Sequence, residues 1–297
     1  MENLLDWIGY HDKWHGTVQN SRVPYTYSPN EHLIEEIFRR LGIREGTCVE
    51  FGAWDGVCNS NTKRLIDRGW HSIQIEADTS KFQQLQETYR SNKRVRCINR
   101  TVDTQNNLFD DITGHDLGQF GRKGHIDFCS IDIDGHDVEV FETFTRNLPT
   151  VVCIEGGQML YPFHPPVPSH IAQNNVQQSL ATMHNIFARK GYRLLCTYQD
   201  SFFIKEEFYY LFDVSSNLMN LYLDGLEAFP KIPWIHKKLE EVGISNEILE
   251  AIIAKVTRSI FDFVKLKGTK AHKMIWVDQN YDIILEALQH YRQAEGV

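Results

Sequence analysis

The sequence predicts an α/β chain with a doubly wound, seven-stranded sheet whose last strand is antiparallel, followed by a helical C-terminal segment. Three observations carry this prediction. Helix-like and strand-like segments alternate from residue 31 onward, a turn of two residues joins the last two strands, and the strand signal is lost beyond about residue 210.

Taken in order, the first element is a helix opening at Pro29 or Asn30, where an asparagine caps free backbone amides. His32, Leu33, Ile34, Phe38 and Leu41 then recur at helical spacing before Gly42 stops it. Short apolar runs rich in Val, Ile, Phe or Cys follow as strands: Thr47 to Phe51, Ser72 to Glu76, Val95 to Asn99, Phe128 to Ile133, Val151 to Ile154 and Arg193 to Tyr198. Helical stretches at about 60 to 69, 79 to 91, 137 to 146 and 174 to 190 separate them, the last ending at Gly191, so the crossovers are right-handed. Gln199 and Asp200 turn the chain into Ser201 to Ile204, closing an antiparallel hairpin. A nicotinamide-binding Rossmann domain does not normally end in this way.

Residues 1–30 read as an N-terminal extension, 31–210 as the main domain and 211–297 as a helical appendage. In the appendage Ile248, Ile252, Ile253 and Val256, then Ile260, Phe261 and Val264, keep helical period, which suits a lid or a contact between copies in a homo-oligomer. No repeat or low-complexity tract interrupts the chain. The Pro-rich stretch from Tyr161 to Pro168, with His164 and His170 in or beside it, reads as a long loop following a strand, where site residues gather.

The chain has 297 residues, 42% of them hydrophobic, enough for one large core, and its formal charge of −8 gives no general attraction to nucleic acid or anionic lipid. No apolar run reaches the length that spans a bilayer, and the N-terminus lacks a basic region followed by an apolar one, so the reading is cytoplasmic. Five of the six cysteines fall inside strand-like runs, with no C-x-x-C pair, as reduced core thiols do. Trp7, Trp14, Tyr25 and Tyr27 either cover a sheet edge or stack on a ring of the substrate.

Chemistry concentrates after the first strand. Glu50-Phe51-Gly52-Ala53-Trp54-Asp55-Gly56 places glycines between a strand and a helix, where backbone can approach a ligand, although any tight turn needs such residues. Glu76, twenty residues beyond Gly56 and at the end of the second strand, can accept both hydroxyl protons of a ribose. The pair indicates an adenosine-type ligand. Trp54, standing where a third glycine often lies, argues against a dinucleotide, whose pyrophosphate needs close backbone approach.

The fourth strand runs into Asp132-Ile133-Asp134-Gly135-His136-Asp137. Two aspartates at i and i+2 of a strand point to one side, so Asp132 and Asp134, with Glu155 from the neighbouring strand, can hold Mg²⁺ or Ca²⁺. Cofactor contact and helix capping are the competing explanation. His136, an imidazole beside a carboxylate, is the first general-base candidate and Asp134 the second.

Together E-x-G-x-x-x-G, Ser60-Asn61-Thr62, Ile75-Glu76-Ala77-Asp78, Ser130 to Asp137, Val152 to Glu155 and Lys190-Gly191-Tyr192 resemble the FkbM-like branch of the class I S-adenosylmethionine-dependent methyltransferases, over about residues 47 to 205. The resemblance implies a Rossmann-like fold, with residues 31–210 as a methyltransferase domain. It also implies O-methylation of a sugar, glycoconjugate or small natural-product hydroxyl. By the same resemblance Glu50, Gly52 and Gly56 line the methionine end of S-adenosylmethionine, Glu76 holds its ribose and Asp103 faces its adenine. Ala53, Asp55, Ser60, Asn61, Thr62, Ala77 and Asp132 complete the expected cofactor contacts. Three rival readings stay open: a metal-dependent phosphoesterase built on the aspartates, a non-catalytic nucleotide-binding module, and a nicotinamide dehydrogenase.

Overall fold

The structure is a computed structural model, and it describes residues 4–7, 27–117, 124–156, 166 and 178–228. The strands are β1 Thr47–Phe51, β2 His71–Glu76, β3 Val95–Asn99, β4 Phe128–Ile131, β5 Val151–Glu155, β6 Tyr192–Thr197 and β7 Asp200–Lys205. They form one sheet in the order β3-β2-β1-β4-β5-β7-β6. β1 to β5 pair in parallel, while β7 runs antiparallel between β5 and β6. This is the predicted Rossmann-like, doubly wound sheet with an antiparallel last strand.

Two apolar layers flank the sheet, because alternate strand residues face opposite sides. On one side α1 (Glu31–Leu41), α2 (Lys63–Asp67) and α3 (Thr79–Tyr89) cover Cys48, Phe128, Cys153 and Phe202. On the other, α4 (Phe109–Leu117), α5 (Asp137–Glu142) and α6 (Leu180–Arg189) cover Val49, Phe51, Val152 and Phe203. Phe187 lies between two rings, stacked 3.7 Å from Phe141 and 3.8 Å from Phe203, and so fastens α5 and α6 to the sheet.

Several boundaries differ from expectation. β4 ends at Ile131 rather than Ile133, because Asp134 takes φ +58 and leaves the extended conformation. Asp134 is therefore a bend residue that strand alternation does not orient, while Asp132, one residue past β4, still donates its N–H to the Phe51 carbonyl. α2 is shorter than the stretch 60 to 69, and α5 stops at Glu142 rather than at 146. α4 was not predicted. Asn30 stands at the start of α1 yet makes no side-chain cap; its amide turns inward instead. Gly42, at φ +70, ends α1 as expected, its N–H donating to Arg39.

Leu4, Leu5 and Trp7 form a short 3₁₀ turn buried in the first layer, so Trp7 is a core residue. Tyr27 donates its hydroxyl to Asp67 at 2.8 Å and lies under Lys63, an edge contact. A helix α7 (Leu218–Ala228) packs Leu221 and Tyr222 into the second layer. Trp14, Tyr25, the Pro-rich loop with His164 and His170, the start of the helix expected at 174 and the helical periodicity after 228 lie outside the described residues. All six cysteines are free, four of them buried; Cys97 is half-buried and Cys58 exposed. Among the described residues no helix is long and apolar enough to cross a membrane.

Candidate functional site

The strand order reverses at β1: β2 and β3 extend to one side of it, and β4 and β5 to the other. In open α/β sheets ligands bind outside the carboxyl ends of the strands at such a switch point. The turn Gly52 to Gly56 leaves β1 there, and the loop Asp132 to His136 leaves β4 beside it.

The glycines of the first turn answer to protein neighbours. A Cβ on Gly52, at φ +77, would stand 1.7 Å from the Asp132 carbonyl oxygen. One on Gly56, at φ +76, would meet the Tyr89 ring at 2.4 Å. The turn's amides are also largely committed. Ala53 N–H donates to the Ile75 carbonyl, Trp54 N–H to Glu76 Oε2 at 2.8 Å, Gly56 N–H to the Ala53 carbonyl, and those of Val57 and Cys58 to Asp55 Oδ1. A pyrophosphate needs such amides free.

Glu50 is engaged by the segment ahead of α2. Its carboxylate accepts from the Ser60 hydroxyl at 2.7 Å, the Asn61 N–H at 2.7 Å and the Thr62 hydroxyl at 2.6 Å. Burial raises its pKa, and these three donors offset part of that. Asn61 extends the network, donating to Ser130 Oγ and accepting from Ser28 and Asn30. Glu50, Ser60, Asn61 and Thr62 thus form a buried polar framework beneath the turn.

Glu76 is placed differently. Its two oxygens accept the N–H groups of Trp54 and Asp78, one each. Glu76 is buried, but a carboxylate offers about four acceptor positions, so these N–H groups leave about two untaken. Ala77 connects Glu76 to Asp78, which caps α3 through the N–H groups of Ser80 and Lys81. Asp103 is taken up by its own loop: Oδ1 accepts the N–H groups of Gln105, Asn106 and Asn107, and Oδ2 the Asn107 amide. Those donors, Asn107 first, hold its carboxyl down to about 2. Loop capping accounts for Asp103, and an adenine contact would have to use what remains of Oδ2.

Across the crevice the carboxylates crowd together. Asp132, Asp134 and Glu155 each offer an oxygen within 4.8 Å of the others. Asp200 is the register partner of Glu155 across β5 and β7. Burial, then Asp132, pushes Glu155 up to about 9 and Asp200 up to about 7. Asp132 is open to solvent, yet the surrounding protein and then Asp134 raise its carboxyl to about 6. An open but crowded carboxyl belongs to a concave wall. Asp137 is buried and braces the loop, accepting from Ile133 N–H at 2.9 Å and Gly135 N–H at 3.0 Å. Its carboxylate faces these amides; it does not orient His136, which is half-buried at φ +64 at the head of α5.

Two residues here escaped the sequence reading. Asn30 donates its amide to Asp200 Oδ2 at 2.5 Å and to Asn61 at 2.9 Å, tying the acid wall to the Glu50 framework. Asp200 itself was read only as a turn residue. Its place opposite Glu155 in the hairpin register was the available signal. A separate cavity of about 340 Å³, lined by Phe38, Arg44, Arg68 and Trp70 among others, contains none of the predicted site residues.

No protein-family profile matches the sequence, and no curated protein does. Among solved structures, a Staphylococcus aureus protein assigned as a caffeoyl-CoA O-methyltransferase is similar with TM-score 0.40 and 16% identity, over 61% of this chain and 85% of its own. A Pyrococcus horikoshii protein assigned as an RNA methyltransferase follows at 0.38 and 12%, over 63% and 89%. A SAM-dependent methyltransferase of Aquifex aeolicus stands at 0.36 and 14%, over 57% and 86%. Overlap this low carries no argument about activity; the strand order itself defines the fold.

Proposed function

We propose that this chain is a methyltransferase of the FkbM-like branch, using S-adenosylmethionine to methylate a hydroxyl of a sugar, glycoconjugate or small natural product. The observation that carries the reading is the asymmetry of the crevice. One side offers a nucleoside-type carboxylate, Glu76, with acceptor positions to spare. The amides that would cradle phosphates are already used. The other side is a wall of carboxylates, Asp132, Asp134, Glu155 and Asp200. Such a site suits a nucleoside that carries positive charge and no phosphate, as an adenosyl sulfonium does.

When bound, that group supplies an electrophilic methyl on sulfur. The chain's own part is placement and the removal of one proton. Glu76 orients the ribose, and the Glu50 framework holds the turn rigid beneath it. The acid wall favours the cationic donor, and the loop at the head of α5 receives the hydroxyl proton, with His136 as acceptor and Asp134 as alternate.

The committed amides weigh against the dehydrogenase. A phosphoesterase draws support from the close approach of Asp132, Asp134 and Glu155, the same three residues that would hold a divalent cation. Thermal melting separates these readings. S-adenosylhomocysteine at about a hundred times its Kd should stabilise the chain by about 2.7 kcal/mol, with NAD inert. Stabilisation by Mg²⁺ alone, with no response to the nucleoside, would favour the phosphoesterase.

A further inference from the structure

Trp54 is out of place by every local rule. It takes φ +49, a left-handed conformation that disfavours residues with a Cβ and is an outlier for a bulky one. Its neighbours explain their own geometry: Gly52 accommodates the Asp132 carbonyl and Gly56 the Tyr89 ring. The indole keeps 42% of its surface in solvent and is one of two exposed large hydrophobic residues among those described. A strained backbone carrying an exposed aromatic ring has no packing purpose, and such residues concentrate at ligand sites.

Its surroundings indicate which ligand. The Trp54 backbone N–H is bound to Glu76 Oε2, so this residue's main chain is held beside the carboxylate read above as the ribose partner. Lys81, from the first turn of α3, puts its ammonium 4.6 Å from the ring centroid. A cation there covers one face of the ring, and the indole surface that stays exposed is what a flat partner can use. Both contacts lie on the β2 and α3 side of the crevice, away from the acid wall at β4, β5 and β7. Reaction chemistry belongs to that wall, and the nucleoside to the side of Trp54.

We propose that Trp54 is the stacking wall of the nucleoside subsite: the purine of the adenosyl group lies on the indole, with Lys81 as its support. The inference rests on the methyltransferase reading and deepens it by assigning base recognition to a residue at the position where that resemblance expects a glycine. It also gives the strain a purpose, since a glycine at this position would relax the backbone and leave the base uncovered.

Trp54→Asn and Trp54→Phe test it. Asparagine tolerates the left-handed conformation, so W54N should melt no lower than wild type while binding S-adenosylhomocysteine at least about tenfold more weakly, as loss of one base-aromatic stack does. W54F keeps a ring and should recover most of the affinity. Nucleoside binding should quench the fluorescence of wild type, and quench W54F less, since its other tryptophans are unchanged. Equal affinity of W54N and wild type would overturn the inference and leave the methyltransferase reading standing. W54N melting below wild type would make the indole a packing residue and overturn it too. Wild type that fails to bind S-adenosylhomocysteine would remove the reading itself, and this inference with it.

Discussion

Gly52 shows how far a single residue decides the shape of the crevice. At φ +77, with the Asp132 carbonyl 1.7 Å from where a Cβ would stand, it lets the turn after β1 and the loop after β4 meet backbone to backbone. Gly52→Ala adds at least about 1 kcal/mol of conformational cost before the overlap is counted. The expected result is a clearly lowered midpoint in urea and loss of nucleoside binding; unchanged stability would mean that the loop after β4 moves freely. The need for glycine here was legible in the sequence, but its reason was not. A ligand's approach and a neighbouring backbone's approach leave the same residue in the chain. Glu50 presents the same ambiguity, since an acid near the end of a strand reads as a ligand whether it faces a cofactor or takes three donors from the segment ahead of α2.

Elements were legible where apolar residues were dense. β1 and β3 agree with expectation at both ends, with Gly46 and Gly52 flanking the one and Arg94 and Arg100 the other. α4 was not, because Phe-Asp-Asp-Ile-Thr-Gly-His-Asp-Leu has few apolar positions and a central glycine. Tertiary contacts support that helix. Phe109 stacks 3.9 Å from Phe144, and Asp110 accepts the N–H groups of Thr145, Arg146 and Asn147. The overlong β4 came from treating Ile133 as one more strand residue, when Asp137 holds its N–H in a turn. α5, α6 and β7 meet in the stack of Phe141, Phe187 and Phe203. Phe187→Ala should cost about 3–5 kcal/mol, measured by urea unfolding, because its cavity opens between two stacked rings. A loss below 1 kcal/mol, about the cost of a tolerated volume-conserving swap, would show the layer repacks.

At the scale of the molecule, the crevice crowds buried acids that hold their protons. Asp137 and Asp200 are pushed up to about 7 and Glu155 up to about 9, chiefly by burial, against roughly 4 for carboxyls in an unfolded chain. The folded state therefore holds more protons than the unfolded state between those values. Its stability from these groups is complete below about pH 4 and declines as pH rises through 7 to 9. In a chelating buffer the melting temperature should fall across that range, and Glu155→Gln should flatten the decline. A melting temperature that rises from pH 6 to 9 would contradict the acid wall. That wall was half legible: Asp132, Asp134 and Glu155 stood out as acids near strand ends, whereas Asp200 and Asn30 join them only through the sheet register and the packing of α1.

The central claim is that Glu76 receives a phosphate-free nucleoside at the switch point between β1 and β4. Calorimetric titration of S-adenosylhomocysteine into wild type and Glu76→Ala, with NAD as control, tests it most directly. The account predicts that wild type binds the nucleoside and not NAD, and that Glu76→Ala, still folded, loses at least about tenfold in affinity, because two hydroxyls forfeit a charged acceptor. Equal binding by both chains, or binding of NAD in preference, would contradict it.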